Sequence, residues 1–157
     1  MNLDFLFSCT YFWKLTFGVS TAVFLGGLFH IPRTMWIGIA AMSVLLPFRA
    51  DMKERVKGRI PGNIIGAVVF LGICVFLPAS VFPYIGVIGG IGVGLSATYQ
   101  WQAVFNSLGA MAIATSILGL PGAILFRIAN NFIGSVYGQF FEKISSRFLD
   151  RITPARA

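Results

Sequence analysis

The sequence predicts an all-α membrane protein of six transmembrane helices, built as two inverted three-helix repeats. Three features lead there. Hydrophobic residues make up 57% of the 157 positions and charged residues only 11%, against about 25% charge in an ordinary globular domain. From residue 60 to residue 126 there is no Lys, Arg, Asp or Glu, and no water-facing surface can be built from such a stretch. A ten-residue element containing Arg and Asn also occurs twice, once in each half of the apolar region.

Helices follow from the solvent. Hydrocarbon offers nothing to free backbone amides, so only helices or a closed barrel can cross it, and continuous apolar runs without strict alternation exclude the barrel. A crossing needs about 20 apolar residues, and the breakers divide the chain on that scale. Span one covers 14–29 and ends at His30-Ile31-Pro32-Arg33. Span two covers 34–48, span three 62–79, span four 84–98 after Phe82-Pro83, span five 100–120, and span six 121–141 from Pro121-Gly122. Residues 1–13 lack the basic start and small-residue cleavage site of a secretory signal. They read as a retained interfacial segment, with Tyr11, Phe12 and Trp13 at headgroup depth.

Charge sets the orientation. Of 12 basic residues, Arg49, Lys53, Arg55, Lys57 and Arg59 fall in the connection 49–61, Lys143, Arg147, Arg151 and Arg156 in the tail 142–157, and Lys14 before span one. Only Arg33 and Arg127 lie elsewhere. The bias puts both termini and the connection in the cytoplasm, facing anionic headgroups, which makes the lipid bilayer, and not a nucleic acid, the partner of the +7 charge. Met52, Val56 and Ile60, with charges between them, predict a short interfacial helix in the connection.

Arg59-Ile60-Pro61-Gly62-Asn63-Ile64-Ile65-Gly66-Ala67-Val68 recurs as Arg127-Ile128-Ala129-Asn130-Asn131-Phe132-Ile133-Gly134-Ser135-Val136, with six of ten positions identical at an offset of 68. The same offset pairs Gly18-Val19 with Gly86-Val87, and Gly26 with Gly94. Repeat one is then 14–79 and repeat two 82–141. Three crossings per copy invert the second relative to the first, as in many transporters, and this arrangement puts Arg59 and Arg127 near opposite membrane faces.

Arg127 stands inside span six, where a guanidinium costs about 2.5 kcal/mol or more unless paired or hydrated. Asn63, Asn130 and Asn131 bring amides that bond across helices or replace part of an anion's hydration. Arg59 and Arg127 joined by these amides suggest an anion route, while snorkelling or headgroup anchoring is the structural alternative for each arginine. Small-residue faces at Gly62/Gly66, Gly86/Gly90/Gly94 and Gly134/Gly138 suit close helix packing or a homo-oligomer, a dimer or larger. No catalytic constellation, metal site or cofactor motif is present. His30 is the one histidine, Cys9 and Cys74 lack ligand spacing, and every carboxylate lies outside the six spans, which argues against proton antiport through a buried acid.

The element at residues 59–66 resembles the Arg-x-x-Gly-Thr-x-x-Gly signature of the fusaric acid resistance and aromatic acid exporter group. Trp36-Ile37-Gly38-Ile39-Ala40-Ala41-Met42-Ser43-Val44 with Pro47 is similar to the helix before that signature, and residues 127–134 resemble the group's later Arg-x-x-Asp-Thr-x-x-Gly element. The resemblance covers roughly residues 14–141. It implies an inner-membrane exporter of aromatic or other weak organic acid anions. Asn63 and Asn131 stand where the group has threonines, Asn130 where it has an acid, and the cytoplasmic domain common in larger members has no counterpart here. A membrane scaffold binding a partner through its glycine faces, and a small anion channel, are the competing functions.

Overall fold

The computed structural model describes residues 3–45 and 49–152, and for 3–8, 49–51, 79 and 148–152 it describes the backbone alone. Pro47 and Arg156 lie outside the described residues. Among those described, the chain is all-α, with no strand. The elements are α1 (Leu3–Leu28), α2 (Met35–Val44), α3 (Arg49–Phe76), a short 3-10 turn at Ala79–Val81, α4 (Phe82–Leu95) and α5 (Tyr99–Ile152).

Helix boundaries fall where backbone chemistry demands them. α5 is broken at Gly119, whose φ of 67° and ψ of 169° are non-helical, a conformation costly for any residue with a Cβ. With Pro121 two residues on, this divides α5 into a first arm, 99–118, and a second, 120–152, next to the boundary expected between spans five and six. Between α1 and α2 the chain turns through His30 and Arg33, both at positive φ.

Two expectations change. α1 runs without interruption from Leu3, so the described part of the 1–13 segment belongs to the same helix as span one. The basic connection is likewise no separate interfacial helix, because α3 continues from Arg49 through Pro61 to Phe76. Pro61 withholds one backbone N–H, but it lies on the exposed side, where its ring displaces no packed neighbour.

Length separates the helices into two classes. Met52–Phe76 and Tyr99–Arg147 are long and apolar enough to cross a membrane, whereas Met35–Val44 and Phe82–Leu95 are shorter apolar helices. At about 1.5 Å per residue, α2 and α4 extend roughly 15 and 21 Å, less than the roughly 30 Å of a hydrocarbon core.

Burial is inverted relative to a water-soluble fold. On α3 the enclosed face is Arg59, Gly62, Asn63, Gly66, Ala67 and Phe70, while Ile64, Ile65, Val68, Val69, Leu71 and Val75 are exposed. On the second arm Arg127, Asn130, Asn131, Gly134, Ser135 and Gly138 are buried, and Phe132, Ile133, Val136 and Phe140 are exposed. Small and polar groups inside with large apolar groups outside is the pattern expected when hydrocarbon is the solvent.

The chain forms two compact units, residues 1–52 with 132–157, and residues 53–131. The first contains α1, α2 and the rest of the second arm. Its core groups Ala22, Ile37 and Ala41 with Ile31 and Tyr137, and Gly134 and Gly138 of the arm lie against Ile37, Ala40, Ala41 and Val44 of α2. The second contains α3 from Lys53, α4, the first arm and the start of the second arm. Ala67, Phe70, Ile85, Leu108 and Met111 form its core. The units cut across the segments 14–79 and 82–141, each taking helices from both.

Glycine sets the closest approach in the second unit. A Cβ on Gly66 would stand 2.8 Å from the Val104 carbonyl oxygen and 2.9 Å from Ser107 Cβ, whereas one on Gly72 meets nothing within 4 Å. Gly66→Ala is therefore expected to lower the melting temperature in detergent, with a cost of about 1–3 kcal/mol from overpacking. Gly72→Ala should be neutral or raise it slightly, by up to about 1 kcal/mol of helix propensity; equal melting of the two variants would contradict the packing.

Candidate functional site

In the 53–131 unit the Arg/Asn parts of the two copies, residues 59–63 and 127–131, come together. An asparagine four residues after an arginine can reach back to that arginine's carbonyl along the helix, and both copies do so. Asn63 Nδ2 donates to the Arg59 carbonyl at 2.7 Å, and Asn131 Nδ2 to the Arg127 carbonyl at 2.7 Å. Each amide oxygen is left to face the other helix. Asn131 Oδ1 accepts from Arg59 Nε at 3.0 Å. Asn63 Oδ1 accepts from Ser107 Oγ at 2.6 Å, and that hydroxyl accepts from Arg127 Nε at 3.3 Å. The bonds close into a ring through Arg59, Asn131, Arg127, Ser107 and Asn63.

The ring is enclosed. Arg59 is 4% exposed and Arg127 1%, and Arg127 is the largest of the side chains below 2% among the described residues. Neither is a snorkelling or headgroup-anchoring arginine. The picture of two arginines at opposite membrane faces is corrected as well, because one hydrogen-bonded ring holds both. The reason is antiparallel pairing: residue 59 bonds to 131 while 63 is joined to 127, so the two elements lie side by side instead of end to end. Asn130 is also buried, but the ring does not pass through it.

The cations far outnumber the acids here. Between residues 53 and 131 the sequence supplies Lys53, Arg55, Lys57, Arg59 and Arg127 but a single carboxylate, Glu54, which is exposed. The ring bonds use neutral acceptors. Arg59 also donates from Nη1 to Tyr99 Oη at 2.6 Å. A desolvated, net-cationic, amide-rich site of this kind can hold an anion or ease its passage.

The glycines divide. Gly62 and Gly66 pack on the first arm, at Gln100, Ala103, Val104 and Ser107, and Gly134 and Gly138 on α2. A Cβ at Gly86, Gly90 or Gly94 meets nothing within 4 Å, whereas Gly89 and Gly92 abut Phe105 and Gly109; of the three, Gly86 borders this contact, its carbonyl oxygen 3.6 Å from where a Cβ on Gly109 would stand. The helix is rotated so that the neighbouring register faces inward, which a run rich in glycine on every side leaves undecided.

In the other unit, Lys14 pairs with Glu142, their side chains 13% and 7% exposed. A buried carboxylate thus stands one residue beyond the expected end of span six. An open cleft of about 720 Å³ beside it is lined by Met52, Val136, Gln139, Phe140, Lys143 and Arg147. Sequence reasoning also missed Ser107 and Tyr99. A serine in a transmembrane helix commonly bonds its own preceding turn, so nothing marked Ser107 as a bridge. Tyr99 carried a weak signal, a phenol at a helix start opposite a basic segment.

Residues 21–141 match the family model described as fusaric acid resistance protein-like. The chain belongs to that family. Neither the curated proteins nor the solved structures compared with it contain a match. The fusaric acid resistance protein-like family is one of membrane transport and resistance, and with the apolar helices it makes the chain a membrane protein. The element at residues 59–66 supplies both parts of the site: Arg59 enters the ring, and Gly62 and Gly66 bring α3 close enough to the first arm for Asn63 to meet Ser107. Asn63 donates and accepts at once.

The bridge can be measured. In a double-mutant cycle with Asn63→Ala and Ser107→Ala, read by unfolding in mixed micelles, a coupling of about 0.6–2 kcal/mol is expected. Strict additivity would show that no bond links them.

Proposed function

We propose that this protein exports aromatic or other weak organic acid anions across the inner membrane, through a route organised by the ring of Arg59, Asn63, Ser107, Arg127 and Asn131. The ring is the observation that carries this reading: two guanidiniums enclosed together, in a segment whose one carboxylate is exposed. Moving an organic anion through hydrocarbon requires fixed positive charge and donors along its path. Asn130, buried one residue before Asn131, adds a further amide to the same route.

The accompanying architecture is six crossings in two inverted repeats, with both termini cytoplasmic. Its support is local to each unit. The bonds Asn63 to Arg59 and Asn131 to Arg127 are the same bond in each copy, and antiparallel pairing of the two elements is what an inverted repeat requires. The Lys14 to Glu142 pair brings the start of span one to the end of span six, as an even number of crossings would, and Tyr11 Oη donates to the Leu45 carbonyl at 3.1 Å, joining the start of span one to the end of span two. Helices of 10 and 14 residues shield a path poorly, so the working form is a homo-oligomer, a dimer or larger.

An inside-negative potential drives such efflux, each monovalent anion gaining about 2.3 kcal/mol per 100 mV. In proteoliposomes loaded with benzoate, Arg59→Gln with Arg127→Gln is expected to reduce potential-driven efflux to the protein-free background while insertion is preserved. Efflux that survives the double substitution would defeat the proposed route. Glu142 provides a separate check on coupling: Glu142→Gln should leave efflux under an imposed potential unchanged when no pH gradient is present, and a loss of efflux there would implicate the buried acid.

A further inference from the structure

Tyr99 is the first residue of α5, and two arginines one helical turn apart on α3 engage it in different ways. The Arg55 guanidinium carbon lies 4.7 Å from the centre of the Tyr99 ring, within the range of a cation–π contact. Arg59 Nη1 donates to the phenol oxygen of the same ring at 2.6 Å. One cation thus contacts an aromatic face while the next contacts an oxygen carried by that ring. These are the two features of an aryl carboxylate or a phenolate, except that the anion brings a full charge where tyrosine has a neutral hydroxyl.

That difference has a direction. The bond from Arg59 to the phenol is already assisted by the arginine's charge; an aryl oxyanion adds the attraction of a second full charge, which is stronger away from bulk water, so it competes well with Tyr99 for Arg59. Tyr99 and Arg55 are only partly buried, whereas Arg59, 4% exposed, is reached from this side only when Tyr99 gives way. Lys53 and Lys57, exposed on the same helix, add positive potential at the approach. Arg59 belongs to both places, since its Nε bonds Asn131 in the ring while its Nη1 holds Tyr99.

We propose that Arg55 and Arg59 form an entry subsite for an aromatic ring bearing an oxyanion, and that Tyr99 is its internal occupant, displaced when the ligand binds. This rests on the anion-export reading and specifies how that route begins. A site held by its own side chain binds ligand more weakly by the fraction of time it stands open, so removing the occupant tightens binding. A tyrosine that merely tethers α5 to α3 makes the opposite prediction.

The test is equilibrium binding of radiolabelled benzoate to the full chain in lipid nanodiscs, with cyclohexanecarboxylate as a competitor of equal charge and no aromatic face. Tyr99→Ala is expected to bind benzoate roughly three- to tenfold more tightly than the native chain, and Arg55→Gln to lose the preference for benzoate over cyclohexanecarboxylate. Unchanged or weaker benzoate binding by a folded Tyr99→Ala variant overturns the subsite. If that variant does not fold, Tyr99→Phe, which keeps the ring and loses the bond to Arg59, takes its place: tighter binding supports the subsite and equal affinity overturns it. Benzoate binding to none of these proteins defeats the export reading and the subsite together, whereas binding by the native chain without the tightening defeats the subsite alone.

Discussion

Enclosing a guanidinium in hydrocarbon is the constraint that organises the 53–131 unit. Each arginine brings donors that cannot be left to lipid, and no charged residue lies between residues 60 and 126 to share the load. The unit meets this demand with side-chain amides and hydroxyls. Asn63 and Asn131 each bond the carbonyl of the preceding turn and present an oxygen to the other element, and Ser107 spans the one gap an amide does not bridge. Helix placement then follows, because the amide and the hydroxyl meet only when α3 and the first arm approach closely. Gly62 and Gly66 permit that approach.

The remainder of the fold accommodates two solvents. Exposed faces are apolar and inner faces are small or polar, so the helices adhere through close packing and hydrogen bonds, since their outward side chains are as apolar as the lipid itself. In the other unit the same logic appears with different groups: Gly134 and Gly138 fit against α2, Thr21 and Tyr137 share a hydrogen bond, and Lys14 is paired with Glu142. Gly119 and Pro121 divide what would otherwise be one 54-residue helix, and this break gives the 53–131 unit both the first arm and the start of the second.

The proposed anion route differs from a pore lined by side chains in open water, because bonds from Arg59 to an amide oxygen and from Arg127 to a hydroxyl fix the geometry of both arginines. Tyr99 extends the arrangement outward, linking the enclosed ring to a partly open position at the start of α5. Membership of the fusaric acid resistance protein-like family accords with transport by a chain that carries its chemistry in short polar elements within long apolar helices.

Much of this was written in the sequence, for a physical reason. Composition and the charge-free stretch reveal the solvent, and a membrane admits so few backbone structures that the all-α class follows. The break at residues 119–121 was legible because glycine and proline act locally, and the bonding of the asparagines across helices was legible because an amide in hydrocarbon must find a partner. The sequence did not determine which distant groups meet. Whether Arg59 and Arg127 lie at opposite faces or in one ring, whether Gly90 or Gly89 faces inward, and whether Glu142 is solvated or buried against Lys14 depend on helix rotation and pairing. Those are decided by the sum of many weak packing contacts across the fold, which only the tertiary structure contains.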